Sequence, residues 1–576
     1  MAQNQFYNSF SRFVDLLKPE KREIGIIYLY AIFAGILNLS LPLGIQAIIG
    51  FVMAGMVSTS WIILVVIVVI GVALAGGLQI MQLYMTEILQ QRIFTRSSFE
   101  FAFRIPKFKM EALRNFYPPE LINRFFDTIS VQKGLSKILI EFSSSVLQIF
   151  FGLVLLSFYH PFFVVFAFVV LGLIFLIINY TGPRGLATSL KESKHKYEVA
   201  HWLEELGRVM GTFKLAGDSS MPLSKTDDLV SNYLTARKNH FSVLLLQYGS
   251  IVGFKVLITA SLLVLGGILV IDQQINIGQF VAAEIIIILV LNSVEKLLLS
   301  MESVYDVLTS LEKINSVVNL PIETNEGICF DDLDQGDGFA ISIKNLTYQY
   351  SEKAIPVINN FNLDIKPGDK ICITGYNNSG KTTLLNLISG LFTDYQGEIL
   401  YNNVPLLNLN MQSMRQHIGD ILSQEQIFAG TLSENISMLR EGITFKKVKE
   451  AAEQIGLDSF IQKIPQGYDT QLIAEGKGLP RSVAMKLIIA RAAVDKPRLL
   501  VLEEFLHNIE RKDRIKISNF LTDKEKPWTL VAVSNDPVFA ASCNKVIVMK
   551  EGEIMAIGDY ESLKDKDFFR DVCNLN

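Results

Sequence analysis

Long apolar runs alternate with polar connections over the first three hundred residues of this chain. Six runs, Ile24–Val52, Trp61–Leu83, Ile138–Phe158, Phe162–Tyr180, Phe241–Ile271 and Ile277–Leu299, are each long enough to cross a bilayer as a helix. From Phe339 the pattern changes. Short β-rich runs such as Ile371-Cys372-Ile373-Thr374 and Leu499-Leu500-Val501-Leu502 alternate with segments of helical spacing, which predicts an α/β domain with a substantially parallel sheet. Between the two patterns, Asn319–Gly338 carries Pro321, Gly327, a run of acids and Gly336, and reads as a linker. The chain is therefore expected to be multi-domain: a six-helix all-α transmembrane domain over 1–318, a linker over 319–338 and an α/β domain over 339–576.

Charge sharpens the picture. Met53–Ser60, Tyr159-His160-Pro161 and Asp272–Asn276 contain no Lys or Arg. The second-to-third connection holds Arg92, Arg96, Arg104, Lys107, Lys109, Arg114, Arg124, Lys133 and Lys137, and the fourth-to-fifth holds Arg184, Lys191, Lys194, Lys196, Arg208 and Lys214 among others. By the positive-inside rule, both termini, both long connections and the α/β domain lie on the cytoplasmic side of an inner membrane crossed six times. A soluble six-helix core does not account for this alternation. Both long connections look helical, and each has a break: Tyr117-Pro118-Pro119 opens a short segment running to Arg124, and Gly211 and Gly217 bracket another. Within the spans, Lys255 and Glu284 are the conspicuous ionisable residues, costly unless they face a cavity or a partner. At ~1.5 Å per residue they lie at different depths, ~24 and ~10 Å from the outer ends of their spans, which argues against a direct pair.

Composition agrees with a membrane protein: half of the 576 residues are hydrophobic and only 19% are charged. A net charge of −4 gives no reason to expect a nucleic-acid partner. Cys329, Cys372, Cys543 and Cys573 lack metal-like spacing and read as reduced cytosolic thiols. Met1–Arg22 is polar and lacks a signal-peptide pattern.

Candidate chemistry is concentrated in Gly375-Tyr-Asn377-Asn378-Ser379-Gly380-Lys381-Thr382, which lies between an apolar strand pattern and the helical Thr383–Ile388. That strand–loop–helix context is what a phosphate-binding loop requires. Its glycines let backbone N–H groups curl around an anion at a helix N-terminus. Lys381 is placed to reach β- and γ-phosphates and the Thr382 hydroxyl to ligate magnesium, so ATP with Mg2+ is the expected ligand pair.

Over essentially its whole length the chain resembles the ABC exporter superfamily, as a half-transporter with six spans followed by one P-loop ATPase domain. Leu41-Pro-Leu-Gly-Ile-Gln-Ala-Ile-Ile49 and Ile277-Gly-Gln-Phe280 are most similar to the haemolysin-type and peptide-exporting branch, without the N-terminal peptidase domain that some of that branch carry. The resemblance implies a dimer that sandwiches two nucleotides between facing ATPase domains. Implied partners are a second half-transporter, the lipid bilayer and a membrane-fusion or secretion component. It also implies that Tyr350 stacks on adenine and that Gln424 senses magnesium, with Ser423 the alternative because the spacing to Phe428-Ala-Gly-Thr431 is one residue off.

Several motifs depart from that family. Where it carries Leu-Ser-Gly-Gly-Gln, offered in trans to the partner's γ-phosphate, this chain has Leu479-Pro480-Arg481-Ser482-Val483. Pro480 has neither hydroxyl nor N–H. The Asp-Glu closing the following strand is Glu503-Glu504, which keeps the general base, Glu504, and lengthens the magnesium-associated residue, Glu503. The next loop, His507-Asn508-Ile509-Glu510, replaces Ser-Ala-Leu-Asp, and Asn535 stands in the place of the switch histidine. Losing one transition-state donor costs about 3–4 kcal/mol. Arg481 offers compensating positive charge to phosphate. In a homodimer both sites would carry the altered signature and Asn535; a heterodimer with a standard partner would carry one defect at each site. Two expectations follow: an ATP-driven exporter of a peptide, small protein or amphipathic molecule, or a nucleotide-binding regulatory subunit with little turnover.

Overall fold

The computed structural model describes residues 13, 17–53, 59–114, 116, 118–330, 338–351, 355–422, 427–495 and 497–573. The chain forms two compact units, Met1–Lys107 with Asn115–Leu320, and Phe108–Arg114 with Pro321–Asn576.

The first unit is helical: α1 (Lys21–Asn38), α2 (Ser40–Met53), α3 (Thr59–Arg104), α4 (Asp127–Lys137), α5 (Ser143–Ser157), α6 (Pro161–Arg208), α7 (Met221–Ser261) and α8 (Ile277–Val318). Among the described residues, six helical segments are long and apolar enough to cross a membrane: Lys18–Met53, Thr59–Lys107, Glu120–Ser157, Pro161–Arg208, Met221–Ile271 and Ile277–Val318. Each apolar run of the sequence falls in one of them, with Phe158 alone a residue past a helix end. The helices outrun the apolar runs: the 48 residues of α6 extend ~72 Å at 1.5 Å each, more than twice a hydrocarbon layer.

Helix starts follow local chemistry. Pro161 occupies the first turn of α6, where its missing N–H costs nothing, and the His160 ring accepts from Phe162 N at 3.2 Å. Asn276 and Gln279 form a reciprocal capping box at the start of α8, with bonds of 2.7 and 2.9 Å. The reversals differ in detail from expectation. Pro118–Asn123 is helical, with Pro118 and Pro119 in its first turn, while Tyr117 lies outside the described residues. In the other connection the breaks are Val209, which leaves helical geometry at φ −108°, and Gly217 at φ +74°, with the short helix Met210–Leu215 between them. Lys255 is ion-paired with Glu295 of α8, a residue its sequence context did not single out, and Glu284 is half-buried.

Helix α8 is the packing axis of this unit. Close approach is bought by glycines on three neighbouring helices, each receiving a side chain of α8. A Cβ on Gly134 of α4 would lie 2.3 Å from Val307, on Gly152 of α5 2.7 Å from Val290, and on Gly185 of α6 2.4 Å from the Tyr305 ring. The Tyr305 hydroxyl accepts from Gln247 of α7 at 2.7 Å, and the same amide reaches Thr181 of α6 at 2.8 Å, so these buried polar groups satisfy one another.

The second unit is an α/β domain. Its strands are β1 (Ile341–Tyr348), β2 (Ile358–Ile365), β3 (Lys370–Gly375), β4 (Gln396–Tyr401), β5 (Val404–Pro405), β6 (Ile418–Ile421), β7 (Gly430–Thr431), β8 (Gln471–Leu472), β9 (Leu499–Glu503), β10 (Thr529–Val533), β11 (Lys545–Lys550) and β12 (Glu553–Gly558). One sheet runs β12-β11-β3-β10-β9-β6, parallel except for the edge strand β12; an antiparallel sheet runs β2-β1-β4-β5; and β7 pairs with β8. The central strands are buried on both faces, hence their unbroken apolar sequences. Successive residues feed opposite cores: Leu500, Leu502, Leu530, Ala532, Val546 and Val548 join one, and Leu499, Val501, Val531, Val533, Ile547 and Met549 the other.

The glycine contacts on α8 give a direct test. Gly185→Val should overpack against Tyr305 and destabilise by about 1–3 kcal/mol, lowering the melting temperature of the purified chain in lipid. Gly249→Ala, with nothing within 4 Å of the new Cβ, should cause no loss.

Candidate functional site

Parallel register brings the carboxyl ends of β3, β9 and β10 side by side, and the crevice beyond such ends is where α/β sheets bind ligands. Here β3 runs into the Gly375–Thr382 loop and then helix α9 (Lys381–Ile388), β9 ends at Glu503-Glu504, and β10 leads to Asn535. Backbone geometry fixes the loop. Gly375 sits at φ +151°, where a Cβ would lie 2.2 Å from Met549 O, and Gly380 at φ +88°, where it would lie 2.7 Å from Val357 O. Neither position accepts a side chain. Asn378 is left-handed at φ +62°, a conformation asparagine tolerates. Lys381 folds across the loop, donating to Gly375 O at 2.9 Å and Tyr376 O at 2.7 Å, with Ser379 Oγ at 3.3 Å. Burial lowers its pKa, opposed by the charges of Glu504 and Glu503.

Thr382 donates its hydroxyl to Glu503 Oε1, so the two candidate magnesium ligands meet. The extra methylene of Glu503 relative to aspartate still leaves its carboxylate at the loop. Burial raises the Glu503 pKa, and neighbouring Glu504 raises it further, against the opposing effects of Thr382 and Lys381. A desolvated carboxylate beside a hydroxyl is an oxygen pair suited to a hard divalent cation. Mg2+ commonly takes one or two protein oxygens and completes its shell with water and phosphate. No cluster of three or more His, Cys, Asp or Glu with metal-holding geometry occurs among the described residues.

Glu504 is the strained residue of the site. It adopts φ +45°, a left-handed conformation that costs a non-glycine residue about 1 kcal/mol or more, and its N–H is tied to Val533 O at 3.0 Å. The turn exposes its side chain in a cavity of about 390 Å³, lined also by His507, Asn508, Arg514, Asn535 and Asp536. Asn535 Oδ1 accepts from Thr374 Oγ1 at 2.7 Å, which fastens the end of β10 to the residue before the phosphate loop.

Tyr350 is exposed, and its hydroxyl lies 2.9 Å from Thr383 Oγ1 at the start of α9. Sequence reasoning did not single out what braces it. Phe108–Arg114, which follows the second span, packs as part of this unit. The Arg114 guanidinium lies 5.3–5.5 Å from the ring centres of Tyr348, Tyr350 and Phe392 and donates to Tyr350 O at 2.6 Å. Glu111 accepts from Thr393 N at 2.5 Å and Asp394 N at 3.3 Å. This stretch precedes the break that the sequence places at Tyr117-Pro118-Pro119. No local motif marks Arg114 within a connection full of basic residues.

Leu479–Val483 forms the turn into helix α10 (Arg481–Ala493). Pro480 precedes the first helical residue, and its carbonyl accepts from Val483 N at 2.9 Å and Ala484 N at 3.0 Å. Leu479 and Val483 pack on the domain core, whereas Arg481 is exposed. Among the described contacts, no hydrogen bond joins this segment to the phosphate loop of its own chain. Ser423 and Gln424 lie outside the described residues. The four cysteines are free, and all but Cys329 are buried.

Comparison with known proteins accords with this geometry. The family described as ABC transporter transmembrane region matches residues 24–294, and the family described as ABC transporter matches residues 358–507. The leukotoxin export ATP-binding protein LtxB of Aggregatibacter actinomycetemcomitans is 29% identical over 303 residues, covering 52% of this chain and 42% of that protein. The alpha-hemolysin translocation ATP-binding protein HlyB of Escherichia coli O157:H7 is 29% identical over 302 residues, with the same coverage. The ATP-dependent lipid A-core flippase of Hahella chejuensis is 30% identical over 248 residues, 43% of this chain and 42% of that protein. The chain thus covers less than half the length of these relatives. In fold it is similar to a bacterial Atm1-family ABC exporter solved with ATP bound, with a TM-score of 0.83, 15% identity, and coverage of 96% of this chain and 98% of that one. With its six membrane-crossing segments and its phosphate-loop α/β domain on one polypeptide, the chain belongs to the ABC transporter family as an exporter-type half-transporter.

Proposed function

We propose that this chain is one half of an ATP-driven exporter in the cytoplasmic membrane, with its ATPase domain on the cytoplasmic side, and that it works as a dimer with a second half-transporter. The reading is carried by one observation: Lys381, Thr382, Glu503 and Glu504 converge beyond the carboxyl ends of β3 and β9, the two strands that flank β10. In this reading the Gly375–Thr383 loop holds the phosphates, Tyr350 stacks on adenine, Thr382 and Glu503 hold Mg2+, Gln424 senses it, and Glu504 takes the proton of the attacking water. The named relatives translocate a leukotoxin, a haemolysin and lipid A-core. A peptide, small protein or amphipathic molecule is the corresponding cargo class here, with a membrane-fusion component as a further partner.

A second reading, a regulatory subunit that clamps ATP with little turnover, is favoured by Pro480 at the start of α10 and by an asparagine at 535. Magnesium-dependent ATP hydrolysis by the purified chain in lipid separates the two. The exporter reading expects turnover that Glu504→Gln abolishes while ATP still binds. Binding without turnover in the unsubstituted chain supports the regulatory reading and directs attention to a partner subunit.

The altered signature gives an independent expectation. If Leu479–Val483 faces the partner's γ-phosphate, replacing Pro480 by Ser and Arg481 by Gly restores a donor and close backbone approach. Turnover per dimer should rise by up to about 100-fold, the scale of one transition-state donor. A lower rate would mark Arg481 as a working phosphate ligand, and an unchanged rate would count against a phosphate contact from Arg481.

A further inference from the structure

The cavity beside Glu504 holds a group that the assigned motifs leave without a task. His507 is exposed, and its Nδ1 lies 3.0 Å from Glu504 O. A carbonyl oxygen only accepts, so Nδ1 must carry the hydrogen. The ring is thereby held in one tautomer, with Nε2 left as its other functional atom. Asn535, across the same cavity, has its Oδ1 engaged by Thr374 and can offer only a neutral amide N–H. The remaining charged groups lining the cavity are Glu504, Arg514 and Asp536. Arg514 uses its two terminal nitrogens on Asp536 at 2.7 Å and Ile509 O at 3.2 Å, and its Nε, which has no partner, is buried. Among the described lining residues, His507 is thus the one side chain free to supply a titratable, cationic donor, and a charge-assisted bond to phosphate is roughly twice as strong as a neutral one.

Resting on the ATPase reading above, we propose that His507, as imidazolium, donates from Nε2 to a γ-phosphoryl oxygen of bound ATP and supplies the positive donor that Asn535 cannot. In the step it assists, water oxygen bonds to the γ-phosphorus. The bond from phosphorus to the bridging oxygen breaks with its electron pair leaving on ADP, and the water proton passes to Glu504. His507 keeps its proton and forms no covalent bond.

Histidine C2-hydrogen exchange, read by mass spectrometry on the full-length Glu504→Gln chain in lipid, tests the contact without turnover. With ATP and Mg2+ bound, C2-hydrogen exchange at His507 should slow severalfold relative to the ADP-bound chain, which lacks the γ-phosphate. Bound ATP with an unmoved His507 overturns the proposal and leaves the nucleotide site intact. A chain that binds no ATP overturns both this proposal and the function it rests on. In the hydrolytic chain, His507→Ala should cut turnover by about 100-fold, and adding Asn535→His should restore much of it. An unchanged rate in His507→Ala, or a loss that the second substitution does not recover, counts against a phosphate contact.

Discussion

The α/β unit of this molecule depends on three parallel strands, β3, β9 and β10, being buried on both faces and ending in register. Alternate residues are claimed by two hydrophobic cores, so a slip of one position would exchange every side chain between them. That constraint carries the phosphate loop, the paired carboxylates Glu503 and Glu504, and Asn535 to the ends of three neighbouring strands. It also sustains the backbone strain at Glu504, whose left-handed turn is anchored through Val533 O on β10.

Against this frame, the departures from the family pattern are local. Glu503 is longer than aspartate, yet its carboxylate still meets the Thr382 hydroxyl. Asn535 keeps its place through Thr374 but loses the capacity to carry charge, and a histidine stands in the same cavity on the loop after Glu504. Pro480 removes a hydroxyl, although the turn into α10 is intact because the proline carbonyl still accepts the first helical bonds. The Gly375–Thr382 motif matches the family pattern, and the changes fall on Glu503, Asn535 and the Leu479–Val483 segment outside it.

The membrane spans were legible in the sequence because apolar length and the distribution of Lys and Arg follow directly from bilayer thickness and charge. The phosphate loop was legible because only glycine fits positions 375 and 380. Less visible were features created by distant pairing. Lys255 finds Glu295, forty residues on, and Arg114 joins Tyr348, Tyr350 and Phe392 across more than two hundred positions. Neither has a local spacing that announces it. His507 could be seen as a departure from the family, but its tautomer and its cavity required coordinates.

The central claim is a division of labour between adjacent carboxylates, Glu503 for magnesium and Glu504 for water. A structure of the Glu504→Gln chain in lipid with ATP and Mg2+ tests it most directly. The account predicts a nucleotide-sandwiched dimer with the metal held between Thr382, Glu503 and the β- and γ-phosphates, and position 504 beside the attacking-water site. ATP in the loop with its metal remote from Glu503, or position 504 turned away from the γ-phosphate, would contradict it.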